Sequence, residues 1–126
     1  MRARVVDASV LGALVFEEPR ADEAAALLAD AKLHAPFLLA YELASIARRK
    51  AVLTPDRSSL IMAALEDGLA LELEWTDVDH TAALALALRY DLTTHDASYL
   101  TLAQTLDADL VSFDRKLEAA ARALRR

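Results

Sequence analysis

Apolar and polar positions along this chain fall into short runs that alternate between two periods. Residues 3–6, "ARVV", form a compact apolar run ending at Asp7, as a buried strand would. Ser9 to Glu17 reads as helix and stops before Pro19. Residues 20–32 read as a second helix, with Ala24, Leu27, Leu28 and Ala31 inward. "LHAP" is a weak strand candidate, after which Pro36 opens a helix running to Lys50. In "TPDRSSLIMAALEDG", Thr54 is placed to cap a helix, Pro55 to begin it and Gly68 to end it. Residues 69–75, "LALELEW", alternate strictly, with Leu69, Leu71, Leu73 and Trp75 on one face and Glu72 and Glu74 on the other. That is the pattern of an edge strand. Residues 78–90 are apolar nearly all round and predict a buried helix. "LTTHDASYLTLAQTL", residues 92–106, predicts another, with Tyr99, Leu100, Leu102, Ala103 and Leu106 on its apolar face. "ADLVSF", 108–113, is a last buried strand, and 114–124 a last amphipathic helix.

Short strands alternating with helices imply an α/β fold, a three-layer α/β/α sandwich around a short, mostly parallel sheet. No linker, repeat or low-complexity run interrupts the pattern, so residues 1–126 are expected to form one domain. Two glycines and three prolines leave little room for long loops. The absence of cysteine excludes disulfides, thiolate metal sites and a cysteine nucleophile. No apolar run approaches the ~20 residues of a membrane span. Asp7 interrupts the one stretch resembling a signal peptide, so the expected location is the cytoplasm. The net charge of −6 argues against holding nucleic acid by charge alone, unless bound cations offset the acids locally.

In parallel sheets, ligands gather at the carboxyl ends of the strands. Asp7 ends the first strand and Asp114 follows the last; each could equally cap the helix that follows. Asp96 lies in a crowded polar first turn, where Thr93 and Asp96 approximate a capping box. Glu42 has no such explanation. It sits inside "PFLLAYELASIA", where a buried carboxylate must neutralise, pair or bind a cation, and Arg49 on the same face is its structural alternative. Four acids brought into one crevice would repel each other unless they held a hard divalent cation through oxygen ligands.

"VVDASVL", "YELASI" and "LTTHDASYLTLAQTLDADLVSFDRKL" resemble, in order and wording, PIN-domain proteins of the VapC toxin type, and the resemblance spans essentially the whole chain. It implies a toxin ribonuclease of a toxin–antitoxin pair. Asp7, Glu42, Asp96 and Asp114 would hold Mg²⁺ or Mn²⁺ and a water that cleaves RNA, with Ser9 and Ser112 in support. It further implies a homodimer and a cognate antitoxin protein. His95 departs from the aromatic often found there, and with Arg48, Arg49, Arg115 and Lys116 is a candidate RNA contact. Phe37, Tyr41 and Trp75 are expected in the core or a dimer seam, His34 and His80 at the surface, and Arg122, Arg125 and Arg126 on a solvated end. Two alternatives remain open. One is a non-catalytic PIN-fold binding module. The other is a phosphoacceptor receiver domain, which would want a lysine where Asp114 stands.

Overall fold

The computed structural model of the chain describes residues 1–125. Four strands, β1 (Arg2–Val6), β2 (Ala31–Pro36), β3 (Glu74–Thr76) and β4 (Asp109–Val111), form one sheet in the order β3-β2-β1-β4. Every pairing is parallel. Val5 and Val6 of β1 sit opposite Leu110 and Val111, and His34 to Pro36 of β2 opposite Glu74 to Thr76. The helices are α1 (Ala8–Val15), α2 (Ala21–Leu28), α3 (Leu38–Leu53), α4 (Ser58–Leu69), α5 (His80–Tyr90), α6 (Thr94–Leu106) and α7 (Arg115–Leu124). Helices α1 to α4 pack among themselves, and so do α5 to α7, with α6 lying against β1, β2 and β4. The sheet thus separates two helical layers, the α/β/α sandwich expected from the alternation of elements.

The central strands are apolar because both of their faces are covered. Val5, Val6, Val10, Leu11, Leu39, Leu43 and Leu117 are wholly buried. Helix ends use acids where glycine would be usual. Glu17, Asp30, Asp91 and Asp107 all take the left-handed conformation, Asp91 and Asp107 as the C-caps of α5 and α6. Both glycines lie inside helices instead. A Cβ on Gly68 would meet Val15 Cγ2 at 2.7 Å, so this glycine lets α4 approach α1.

Several local expectations are corrected. The second helix ends at Leu28, not residue 32, because the chain turns through left-handed Asp30 and begins β2 at Ala31. Pro36 closes β2 rather than opening α3, which runs on to Leu53. Thr54 and Pro55 open a 3₁₀ turn that leads into α4, and α4 continues past Gly68 to Leu69. The alternating segment 69–75 pairs only at its end, in the edge strand β3, and Leu71 is exposed. Helix α5 is buried on one side only, since Leu84 and Leu88 face outward. Phe37 and Tyr41 are not core residues: they are 52% and 77% exposed. Arg125 bridges Asp107 and Asp109 at 3.5 and 3.6 Å rather than lying free, and Arg126 is outside the described residues.

Candidate active site

The carboxyl ends of β1, β2 and β4 lead into Asp7, the helix that carries Glu42, and Asp114, and the first turn of α6 adds Asp96. Asp7 follows β1 directly. Its Oδ1 accepts from Val10 N–H at 3.2 Å and caps α1. The same carboxylate is held by two hydroxyls: Ser9 Oγ donates to Oδ1 at 2.6 Å and Ser112 Oγ to Oδ2 at 2.5 Å. Those serines are fixed in turn. Phe113 N–H donates to Ser9 Oγ at 2.8 Å, and Asp114 N–H to Ser112 Oγ at 2.9 Å. Asp7 is only 6% exposed, and burial raises its pKa against the lowering effect of these donors. A buried acid with three donors and no cation beside it is poised to stay charged only at a cost.

Glu42 lies on the second turn of α3, and its Oε1 accepts from the Tyr99 hydroxyl of α6. It does not pair with Arg49. Burial raises the Glu42 pKa, and the charges of Asp96 and Asp7 add to this, while the Tyr99 hydrogen bond opposes it. Tyr99 is buried, and burial beside Glu42 pushes its hydroxyl far above the ordinary tyrosine range, so it acts as a donor only. Sequence reasoning missed this residue and assigned it to the apolar face of α6. The available signal was a hydroxyl that needs a partner inside an otherwise apolar helix.

Asp96 stands in the first turn of α6. Thr93 is the cap, its Oγ1 accepting from Asp96 N–H at 3.1 Å, and hydrogen bonding by the Thr93 side chain works to lower the Asp96 pKa. Partial burial raises its pKa, and the nearby Asp114 charge raises it further. Asp114 is exposed and caps α7, accepting from Lys116 and Leu117 N–H at 2.9 and 3.0 Å. The four acids therefore sense one another as like charges, Asp7 with Asp96 and Glu42, and Asp96 with Asp114. None of them makes an ion pair among the described residues.

That donor set fits a hard divalent cation, which favours carboxylate oxygens. Among the described residues no three His, Asp or Glu side chains form a ready-made cage for an ion. The arrangement suits a hydrated cation such as Mg²⁺, which keeps several waters and takes one or two carboxylates directly.

The remaining candidates divide. His95 is exposed beside Asp96, and its charge works to lower the pKa of both Asp96 and Glu42. Lys116 acts on Asp96 in the same sense, although its ammonium pairs with Asp91 at 3.1 Å. Arg115 begins α7, exposed and beside Asp114. Arg48 and Arg49 are exposed near the far end of α3, more than a turn beyond Glu42.

A three-layer sandwich with a β3-β2-β1-β4 parallel sheet and an acidic carboxyl edge is the architecture of a PIN domain. The chain belongs to the PIN domain family, whose pattern it matches over residues 4–123. Among characterised relatives it is 34% identical over 118 residues to Ribonuclease VapC3 of Pyrobaculum aerophilum, covering 90% of each chain. Its fold is similar to the crystal structure of PAE2754 from the same organism, with a TM-score of 0.76 and 24% identity over 98% of this chain and 94% of that one. It is also similar to Mycobacterium tuberculosis VapC20, described as a sarcin-ricin loop cleaving toxin. There the TM-score is 0.72 at 20% identity, over 93% and 94% of the two chains. Family membership closes the receiver-domain alternative. No helix among the described residues is long and apolar enough to cross a membrane.

Proposed function

We propose that this protein is a divalent-cation-dependent endoribonuclease and the toxin of a toxin–antitoxin pair. The observation that carries this reading is the gathering of Asp7, Glu42, Asp96 and Asp114, without ion-pair partners, at the carboxyl edge of a PIN-family sheet. The relative named Ribonuclease VapC3 supports RNA as the substrate and an antitoxin protein as partner. The four carboxylates would hold Mg²⁺ or Mn²⁺, which supplies charge neutralisation at the phosphodiester and a more acidic water. Asp7 is the most rigid of the four, clasped by Ser9, Ser112 and the start of α1. Glu42, oriented by Tyr99, and the partly buried Asp96 carboxylate would hold the cation and orient the attacking water. Asp114 is the one acid of the four that is exposed. The exposed His95, Arg115 and Lys116 are placed to meet phosphate. Exposed apolar residues such as Tyr41 on α3 and Leu88 on α5 support a homodimer, and the cytoplasm is the compartment this reading assigns.

The test is Asp96→Asn. Because Thr93 caps α6, the carboxylate is free to leave without loss of the cap. In chelator the variant should be at least as stable as wild type, since one of four repelling charges is gone. Wild type should gain thermal stability as Mn²⁺ is added, by mass action on the folded state. The variant should gain less and lose RNA cleavage. A variant that is weaker in chelator, yet keeps both its Mn²⁺ response and its cleavage, would remove Asp96 from the site.

A further inference from the structure

A cleft of about 460 Å³ adjoins the acidic cluster, between the β2–α3 and β3–α5 junctions and the start of α6. Its volume lies in the range that small-molecule sites occupy. Its wall carries Phe37, Thr76, Asp77, His80, Thr94 and His95, the last adjacent in sequence to Asp96. The five polar side chains make no hydrogen bond or ion pair inside the protein among the described residues, so their donors and acceptors are open to a ligand. Phe37 is half exposed yet rigidly backed: its ring stacks on Trp75 at 6.3 Å between centroids and 20° between planes. A supported aromatic face, ringed by two threonines, Asp77 and two histidines with open hydrogen-bonding groups, suits a flat heterocycle.

We infer that this cleft is a base subsite, receiving one unpaired nucleobase of the RNA beside the phosphate at the acidic cluster, with Phe37 as stacking face and Asp77 as reader of an amino-bearing edge. The inference rests on the ribonuclease reading. Sequence-specific recognition of RNA uses unstacked bases laid on aromatic rings, and that stacking draws on no net positive charge. This resolves how a chain of net charge −6 can select RNA. A carboxylate accepts from the exocyclic amino groups of cytosine, adenine or guanine, whereas uracil offers it only the ring N3–H, flanked on both sides by carbonyl oxygens that repel the carboxylate. The site should therefore discriminate against uridine.

Two measurements test it. Trp75 is the only tryptophan and stacks on Phe37, so its fluorescence reports on the cleft through that ring. In chelator, decamers of adenosine or cytidine should quench it saturably, and an abasic ribose-phosphate decamer and a uridine decamer should bind at least about tenfold more weakly. Phe37→Ala should bring all four together, roughly a tenfold loss for the better ligands, as stacking on one ring contributes. Asp77→Asn should erase only the discrimination against uridine. Second, total RNA cleaved with Mn²⁺ should show a depletion of uracil at one position flanking the cut, flattened in both variants.

Equal binding of the abasic and base-bearing decamers overturns the inference, as does a Phe37→Ala protein with the wild-type cleavage pattern. Loss of dimer by Phe37→Ala in sedimentation, with site preference intact, overturns it too and assigns Phe37 to a seam between copies. A wild-type protein that cleaves nothing refutes the ribonuclease reading instead, and the chelator titration still decides the subsite.

Discussion

Ser112→Ala isolates what the hydroxyl clasp does for Asp7. The serine is 4% exposed; its hydroxyl donates to Asp7 Oδ2 at 2.5 Å and accepts from Asp114 N–H at 2.9 Å, with Ser9 Oγ a longer contact at 3.5 Å. The first is charge-assisted whenever Asp7 is ionised, and hydrogen bonds to charged groups contribute about 1.5–3 kcal/mol. Alanine leaves the shape nearly unchanged but strands a carboxylate oxygen in a buried setting. The expected loss at neutral pH in chelator is about 1.5–3 kcal/mol, a fall in Tm of roughly 5–12 °C for a domain of this size. Once Asp7 is protonated, the same contact becomes a neutral hydrogen bond contributing about 0.5–1.5 kcal/mol. The cost of the substitution should therefore shrink on acidification, and shrink equally in an Asp7→Asn background. Urea unfolding of the four proteins of that double-mutant cycle, at neutral pH and below the carboxylate range, measures both effects. A cost that is the same at both pH values and in both backgrounds would show that Ser112 only packs, and that the clasp does not govern the charge on Asp7.

Three further outcomes follow from the same geometry. Asp7, Glu42 and Asp96 all have pKa values raised above their ordinary 3.8, 4.5 and 3.8, chiefly by burial. Their contribution to stability is complete below those values and is lost as pH rises through the elevated folded ones. Glu23, lowered by Arg20, works oppositely but from an exposed ion pair of little weight. In chelator, Tm should rise as pH is lowered from neutral towards the ordinary carboxylate range, and a steady fall across that window would refute the charge crowding. Tyr99→Phe deprives Glu42 of its hydroxyl donor, so the Glu42 pKa should move further up. Cleavage should drop about 10–100-fold, as for other groups that orient a ligand, with its acid limb displaced to higher pH; an unchanged pH profile would count against the assignment. Gly68→Ala gains about 1 kcal/mol of helix propensity but drives a methyl to 2.7 Å from Val15 Cγ2. With overpacking at about 1–3 kcal/mol, a net loss of roughly 1 kcal/mol by urea unfolding is expected, and a more stable variant would refute the close approach.

The sandwich was legible because its signals are local. "ARVV" and "ADLVSF" are apolar runs too short for helices, and both became the strands that flank the site. The failures are equally local in origin. β2 was nearly hidden in "AKLHAP", where only pairing to β1 and β3 makes strand of a lysine, a histidine and a proline. The alternation of "LALELEW" promised a longer strand than the sheet had neighbours to pair with. At the site, Asp7, Asp96 and Asp114 stood out by their places at element ends. Glu42 stood out by its incongruity, but its partner could not be chosen, since Arg49 shares its helix face and Tyr99 lies 57 residues away. Long-range partners are a matter of topology, which periodicity does not encode. For Phe37, hydrophobicity argued for the core or a dimer seam, and its position just past the end of β2 leaves the ring at the surface, which excludes the core.

The clasp around Asp7 has a further meaning for how the chain matures. Phe113 N–H and Ser9 Oγ meet across 104 positions, and β1 finds its β4 neighbour only when residues 109–111 are available. Contacts of such separation form late and together, since their loop entropy must be met at once by cooperative packing. A nascent chain that already displays Asp7, Glu42 and Asp96 still lacks both hydroxyl support from Ser112 and the fourth acid. The four-acid arrangement is therefore complete only once β4 has docked beside β1.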